Sequence, residues 1–394
     1  MNAETKLFIS KHEKDDIFTL KLNFKSDSGV DIDMAIRQIN GKQKTKLKIP
    51  VFYNTVNLYY PVQLSLEQSS SESTAIYKST ICSGDSLADL TGGFGVDCNF
   101  MSAKFKQVSY IERQEELCNL ARHNFKVLGK DHITVFHSET EAHLEIMDHA
   151  DWIYIDPARR SAGGNKVVLV SDCEPDVSRL YPLLLEKATR VMIKLSPMMD
   201  ISAAIRDLPN TSEIHILSVE NECKEVLIIL NQSIRNIIVV KTINFSKNKE
   251  DQIFEYQLEE EVIAGISRTT QVEKYLYEPN AAIMKSGAFK LIGNKFRMHK
   301  LHINTHLYTS NELIPEFPGR VFEVIHPWGN TKKELKELGE KTPKANITTR
   351  NYPVPVDELR KKLKIKDGGD VYLFACTLSE DQKMIIETKK LIVS

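Results

Sequence analysis

Between Leu87 and about Asn231, short apolar runs recur with room for a helix between them: "SLADLT", "QVSYIE", "ITVFHS", "WIYIDP" and "VMIKLSP". Such alternation predicts parallel strands with crossover helices, hence an α/β, doubly wound Rossmann-like sheet. The next two runs, "SEIHILSVE" and "KEVLIILN", are separated by a few polar residues and predict an antiparallel hairpin at one edge. Upstream, residues 1–66 mix helix-like segments such as "VDIDMAIRQINGKQKTKLKIP" with Tyr-rich stretches, which predicts a small helical N-terminal domain. "LSLEQSSSESTAIYKSTIC" reads as a helix rather than a serine linker, because Ser69 followed by Glu72 has the spacing of a capping box. Downstream, "IIVVKTINF", "IFEYQLEEE" and the stretch from "YLYEPNAAIMKSGAF" to "LHINTHLY" predict a small α+β unit. A last unit runs from "GRVFEVI" to "DVYLFACTL" around an amphipathic helix "VDELRKKLKI". The expected domains are 1–66, 67–233, 234–320 and 321–394.

Composition changes this picture little. With 394 residues, 42% apolar and 27% charged, the chain is expected to form several globular units rather than a disordered coil. Its six cysteines, Cys82, Cys98, Cys118, Cys173, Cys223 and Cys376, include no CxxC pair, which argues against zinc ribbons and a disulfide framework. "MNAETKLFISKHEKDD" has no apolar signal core, and no run approaches the roughly 18 apolar residues of a membrane helix. The expected setting is reducing and cytoplasmic, away from membranes. Charge is uneven: from Lys290 onward there are 19 Lys and Arg against 13 Asp and Glu, leaving a net −7 on the first 289 residues. A basic C-terminal part suits an anionic partner such as RNA, or simply a solvated basic surface.

The chemistry gathers at strand ends. "DLTGGFGVD" follows the first strand, where a tight glycine turn lets backbone N–H groups approach a ligand. It lacks the GxGxxG frame of a dinucleotide loop and the Gly-Lys-Ser/Thr of a P-loop. Asp89 at its entrance would repel a pyrophosphate but suits an ammonium group, which S-adenosylmethionine carries. The second strand ends at Glu112, about 20 residues beyond the glycines, where an acid can accept ribose hydroxyls. The third ends at "HSE", which puts Glu139 near an adenine amino group.

On these residues the chain resembles the class I S-adenosylmethionine-dependent methyltransferases. D-x-x-G-G-x-G-x-D, from Asp89 to Asp97, is similar to their first motif, Glu112 to their second and "IDPARR" to their fourth. "LSLEQSSSESTAIYK", "KLSPMMDI", "YEPNAAIMK" and "ANITTRNYPVPVDELRKKLKIKDGGDVYLF" extend the resemblance to a bacterial group with a ferredoxin-like insert and a C-terminal THUMP-like domain. The resemblance implies a cofactor site of Gln68, Asp89, Thr91, Gly92, Gly93, Gly95, Asp97, Glu112 and Glu139, with Gln68 and its neighbour Glu67 from the "LEQ" block on the methionine side.

In amino methyltransferases the fourth motif orients the target amine, with an aromatic ring in the fourth place. Here Arg159 stands there, and a guanidinium can stack on a base or grip a phosphate. A related motif serves uracil-5 methylation, which needs a cysteine; Cys173 is the one downstream candidate, and a nitrogen or oxygen acceptor is favoured. The expected catalytic set is Asp156, Pro157, Arg159, Lys194 and Ser196, although Lys194 also reads as a snorkelling strand residue. Arg350, Tyr352, Arg360, Lys361 and Lys364, with Lys362 and Lys366 nearby, form the expected RNA-binding set. His299, His302 and His306 alternate as on a strand and would not converge on a metal. The sequence thus reads as an S-adenosylmethionine-dependent methyltransferase of structured RNA. The alternatives are a protein or small-molecule methyltransferase, a non-catalytic cofactor- and RNA-binding module, and an NAD-dependent oxidoreductase. Oligomeric state is not legible.

Overall fold

The computed structural model describes residues 1–23, 29–159, 169–233, 237–247 and 249–392. Two compact units divide the chain: Met1–Ser212 with Leu227–Arg235, and Glu213–Val226 with Asn236–Ser394.

In the first unit, helices α1 (Ala3–His12), α2 (Ile17–Asn23) and α3 (Ile32–Lys48) meet over Leu20, Ile36 and Ile39. Asp31 starts α3 by accepting the Met34 N–H at 3.0 Å, and Ile32, Ile36 and Ile39 recur at helical spacing on its inner face. Short helices α4 (Pro50–Asn54), α5 (Gln63–Gln68) and α6 (Glu72–Ile81) follow. Ile49, Phe52, Leu58, Tyr60, Leu66 and Ala75 from this region share one core with Phe94 and Val96 of the glycine segment. The helices therefore brace that segment by apolar packing, with Phe52 edge-on to Phe94 at 5.2 Å. The cap of α6 differs from the sequence reading. Ser71, not Ser69, is the N-cap and accepts the Thr74 N–H, while the Glu72 carboxylate accepts the Val51 N–H at 2.7 Å. In a run of three serines the residue adjoining the first turn takes the cap, and Ser69 instead closes α5 by donating to Leu66 O.

The sheet of this unit carries β1 (Ser86–Asp89), β2 (Gln107–Glu112), β3 (Ile133–His137), β4 (Ala150–Ile155) and β5 (Ala188–Leu195). All pair in parallel, in the order 3-2-1-4-5. Helices α7 (Val96–Met101), α8 (Glu115–Val127), α9 (Thr140–Ile146) and α10 (Val177–Lys187) lie between successive strands. This is the α/β doubly wound class expected from the alternation. Register places Asp89 opposite Tyr110 of β2 and Tyr154 of β4, and Glu112 opposite His137 of β3. Because the strands are parallel, all their carboxyl ends open on one edge, where ligands of such sheets bind.

Strands β6 (Thr211–Val219) and β7 (Glu222–Asn231) form the expected hairpin. Its turn residues Glu220 and Asn221 have φ of 51° and 64°, the two left-handed positions of a tight hairpin turn. The hairpin is not an edge, as the sequence reading had it. In the second unit β8 (Val239–Phe245) pairs with β6 in parallel and β9 (Gln252–Gln257) pairs with β8 antiparallel. "IIVVKTINF", assigned from sequence to a later unit, buries Val240 and Ile243 and so takes the open side of β6.

The second unit also holds a sheet of β10 (Tyr275–Pro279), β11 (Tyr308–Ser310), β12 (Gly319–Trp328), β13 (Lys344–Arg350), β14 (Lys366–Thr377) and β15 (Lys383–Lys390). Their order is 11-10-12-15-14-13, with His299–Lys300 added beyond β11. "HKLHINTH" is a strand only at His299–Lys300; the chain then turns, with His306 at φ 53°. Among the described residues no group of three or more His, Cys, Asp or Glu is arranged to hold a metal, and no helix is long and apolar enough to cross a membrane.

Candidate active site

Asp89 ends β1 and is 1% exposed. Its carboxylate accepts the Thr91 N–H at 3.1 Å. Burial, reinforced by the negative charges of Asp97, Asp156 and Glu112, holds this carboxyl well above the usual range despite that hydrogen bond. Thr91 Oγ1 in turn accepts the Asp156 N–H at 2.6 Å, which joins the first loop to the end of β4.

The glycines of the turn have separate reasons. At Gly92 a Cβ would lie 2.2 Å from the Tyr110 ring, so the backbone can approach only without a side chain. Gly93 and Gly95 hold φ of 56° and 78°, and Gly95 caps α7. Gly92→Ala is expected to destabilise the fold by about 1–3 kcal/mol through overpacking. Urea unfolding checks this, and a midpoint equal to wild type would show that the turn has room.

Glu112 is also buried, and both its oxygens accept backbone N–H groups, Oε2 from Gly93 at 2.9 Å and Oε1 from Gln114 at 2.8 Å. The acid is fixed between two loops. Each oxygen retains lone-pair capacity for a ligand hydroxyl. Tyr110 adds a hydroxyl donated to Gly93 O at 2.6 Å. Glu139 follows β3 as the exposed N-cap residue of α9, and its side chain makes no cap hydrogen bond. Thr140 Oγ1 donates to Leu90 O at 2.8 Å and so ties this turn to the end of β1.

Asp97, expected from the sequence in the cofactor site, is held by partners within the protein. Its Oδ2 accepts from the Ser70 and Tyr154 hydroxyls, each at 2.7 Å, with Lys78 Nζ 3.1 Å from Oδ1 and Lys194 Nζ 3.9 Å from Oδ2. Burial works to raise its pKa, but Lys78, Lys194 and the two hydroxyls outweigh that and hold the carboxyl below the ordinary value. Gln68 ends α5, exposed, two residues before Ser70, and Glu67 pairs with Lys44 at 2.6 Å. Lys78, Ser70 and Tyr154 were not singled out from the sequence. Lys78 carries a readable signal, since it follows Thr74 by four positions on the buried face of α6.

Just after β4, Asp156 Oδ2 lies 2.5 Å from Lys194 Nζ, and Pro157 is buried. Ser196 turns the chain after β5, its hydroxyl accepting the Met198 N–H at 3.2 Å. Ala158–Arg159 forms a two-residue antiparallel ladder with Cys173–Glu174, which sets Arg159 opposite Cys173. The Arg159 side chain and Arg160 lie outside the described residues, and Cys173 is buried.

The predicted RNA-binding residues divide by environment. Arg350 pairs at 2.7 Å with Glu278, a buried acid that also holds Arg320. Arg360 pairs with Asp367 at 2.7 Å, and the Tyr352 hydroxyl donates to Asn330 Oδ1 at 2.8 Å. Lys361, Lys362, Lys364 and Lys366 are exposed. Short-range charge pattern could not reveal Glu278, 72 positions from Arg350.

A family model described as a ferredoxin-like domain matches residues 275–318, and one described as THUMP domain-like matches 319–390. No curated protein sequence matches the chain. The crystal structure of a candidate methyltransferase from Porphyromonas gingivalis W83 is 31% identical, covers 99% of this chain and 98% of its own, and superposes with a TM-score of 0.89. An rRNA methylase from Streptococcus thermophilus, 12% identical, covers 40% of this chain and 94% of its own with a TM-score of 0.31. A Streptococcus mutans candidate methyltransferase in complex with SAH, also 12% identical, covers 41% and 96% with a TM-score of 0.30. The full-length match, with the two C-terminal models and the parallel sheet of acid-tipped strands, places the chain in the bacterial family of class I methyltransferases that carry a ferredoxin-like and a THUMP-like domain.

Proposed function

We propose that this methyltransferase uses S-adenosylmethionine to methylate an RNA acceptor. The observation that carries the cofactor assignment is the crowding of Asp89, buried and surrounded by the charges of Asp97, Asp156 and Glu112. Such a site disfavours any further anion and gains from a cation, so a ligand with an ammonium group fits and a pyrophosphate does not. Asp89 would take the ammonium end, the two-loop clamp at Glu112 the ribose hydroxyls, and the Gly92–Gly93–Gly95 turn the close backbone approach. Glu139 is assigned the adenine side, and Gln68 the methionine side. When bound, the cofactor supplies an electrophilic methyl group on a sulfonium.

The chain's own residues then orient an acceptor and take its proton. Asp156 accepts the acceptor's hydrogen bond, and Pro157, Arg159, Lys194 and Ser196 border the acceptor. We assign the acceptor to RNA because the THUMP-like segment presents Lys361, Lys362, Lys364 and Lys366 to solvent. Arg350, Tyr352 and Arg360 shape that surface from within their ion pairs and hydrogen bonds. The division into 1–66, 67–233, 234–320 and 321–394, and a cytoplasmic setting, belong to the same proposal. Labelled S-adenosylmethionine incubated with total RNA from a strain lacking the gene is expected to label an RNA species that wild-type RNA does not. Equal labelling of both, or of protein alone, would refute the RNA assignment.

Electrostatic docking makes a separate prediction. The logarithm of affinity for structured RNA should fall linearly with the logarithm of salt, and alanine at the four lysines should flatten the slope by roughly 0.7 to 0.9 for each phosphate they no longer neutralise. Filter binding at several salt concentrations checks this, and a slope unchanged by the four substitutions would place the RNA elsewhere.

A further inference from the structure

Four charged side chains of the first unit, from four elements, form a line of alternating sign: Lys78 of α6, Asp97 of α7, Lys194 of β5 and Asp156 just after β4. The separations are 3.1 Å, 3.9 Å and 2.5 Å. The side chains of Lys78, Asp97 and Lys194 are 0%, 10% and 11% exposed, whereas that of Asp156 is 35% exposed. The line is sealed along its length and open at one end, the fourth motif.

Burying four charges is costly, and packed apolar residues would hold the same elements together as well or better. Structure alone is therefore a poor reason for the arrangement. Its open terminus supplies a better one. Among the described residues, Lys194 is the one side chain paired with the Asp156 carboxylate, and it holds a single oxygen, Oδ2. Lys194 in turn faces Asp97 Oδ2, which also accepts from Ser70 and Tyr154, while Lys78 meets Asp97 Oδ1. The ion pair favours one orientation of this carboxylate, which accepts hydrogen bonds without donating any.

We propose that Lys78 and Lys194 are positioning residues that, through Asp97, hold Asp156 as a fixed acceptor, and that the methyl acceptor is consequently an N–H or O–H group. The inference rests on the methyltransferase reading above and deepens it by naming the acceptor class. As the new N–C or O–C bond forms and the S–C bond breaks with its electron pair left on sulfur, the acceptor's hydrogen passes as a proton to an Asp156 carboxylate oxygen. A ring nitrogen with only a lone pair has nothing to offer that carboxylate and would meet its charge unpaired.

The test compares wild type with Lys194→Met, Lys194→Arg, Lys78→Met, Asp156→Asn and the Lys194→Met/Asp156→Asn double variant. Cofactor affinity is measured by calorimetry, folding by thermal melting, and turnover with labelled S-adenosylmethionine and total RNA from the deletion strain. Lys194→Met is expected to slow turnover at saturating cofactor by about 100-fold, the order produced by misplacing a reacting group. Its cofactor Kd should stay within about twofold, as for a site that does not touch the ligand. Lys194→Arg should regain part of the rate, and the double variant should be no slower than the slower single, because both disable one device. Lys78→Met should follow Lys194→Met; should it fail to fold, the Lys194 and Asp156 set still decides. Digestion and mass spectrometry should place the new methyl on a nitrogen or oxygen that carried hydrogen. Wild-type turnover in Lys194→Met, multiplying effects in the double variant, or a methyl on carbon or on a hydrogen-free ring nitrogen would each overturn the inference. A wild-type protein that binds no S-adenosylmethionine would instead sink the parent reading at the calorimeter, before any RNA is added.

Discussion

Asp89→Ala is expected to weaken S-adenosylmethionine binding by about 30-fold or more, since truncating one partner of a buried charge pair costs roughly 2–5 kcal/mol. The carboxylate touches the Thr91 N–H and otherwise faces like charges, so its removal relieves repulsion in the empty protein. Folding should accordingly survive, with thermal melting at or above the wild-type midpoint. The same crowding predicts a pH dependence. Burial and its acidic neighbours hold the Asp89 carboxyl well above the usual range, so part of the population is protonated where an ordinary aspartate is not. A cationic ligand favours the ionised form, so affinity should rise with pH through that raised range, and a proton should be released on binding. Calorimetry in buffers of different ionisation enthalpy reads the release. Unchanged affinity in Asp89→Ala, or proton uptake by the wild type, would remove this residue from the site.

The second large effect falls on turnover rather than binding. Asp156→Ala should bind cofactor yet lose about 100-fold or more in rate, the usual contribution of a positioned proton acceptor. Its backbone N–H to Thr91 Oγ1 does not depend on the side chain, so the loop joining the two strand ends should stay in place. Calorimetry and label incorporation on the same sample separate the two outcomes. Retained turnover would move proton acceptance to another group.

Much of this was legible because the parallel sheet converts sequence order into spatial order. Each apolar run ends in a polar residue, and parallel register brings those ends to a common edge, so Asp89, Glu112 and Asp156 could be assembled from strand termini alone. Interior partners could not. Lys78 shows its buried place on α6, but its partner is set only when α6 packs on α7, where Asp97, read as part of a ligand motif, pairs with it. Arg350 and Arg360 looked available for RNA because their acids are supplied by tertiary structure or by a strand beyond the helix. Local rules also failed by small margins, as with the cap of α6, where three consecutive serines offer the same chemistry and geometry chooses Ser71.

Glu278 lies in the segment matched as ferredoxin-like, and both of its arginines lie in the segment matched as THUMP-like. Strand β10, which carries it, is also hydrogen-bonded along its length to β12 across the same boundary. Cutting the chain near residue 318 would therefore strip a neighbour from β12, bare a ladder of backbone groups prone to pair with other chains, and leave two guanidinium groups without their acid. The two matched segments thus share one sheet and one buried acid, and an experimenter who wants either should keep both.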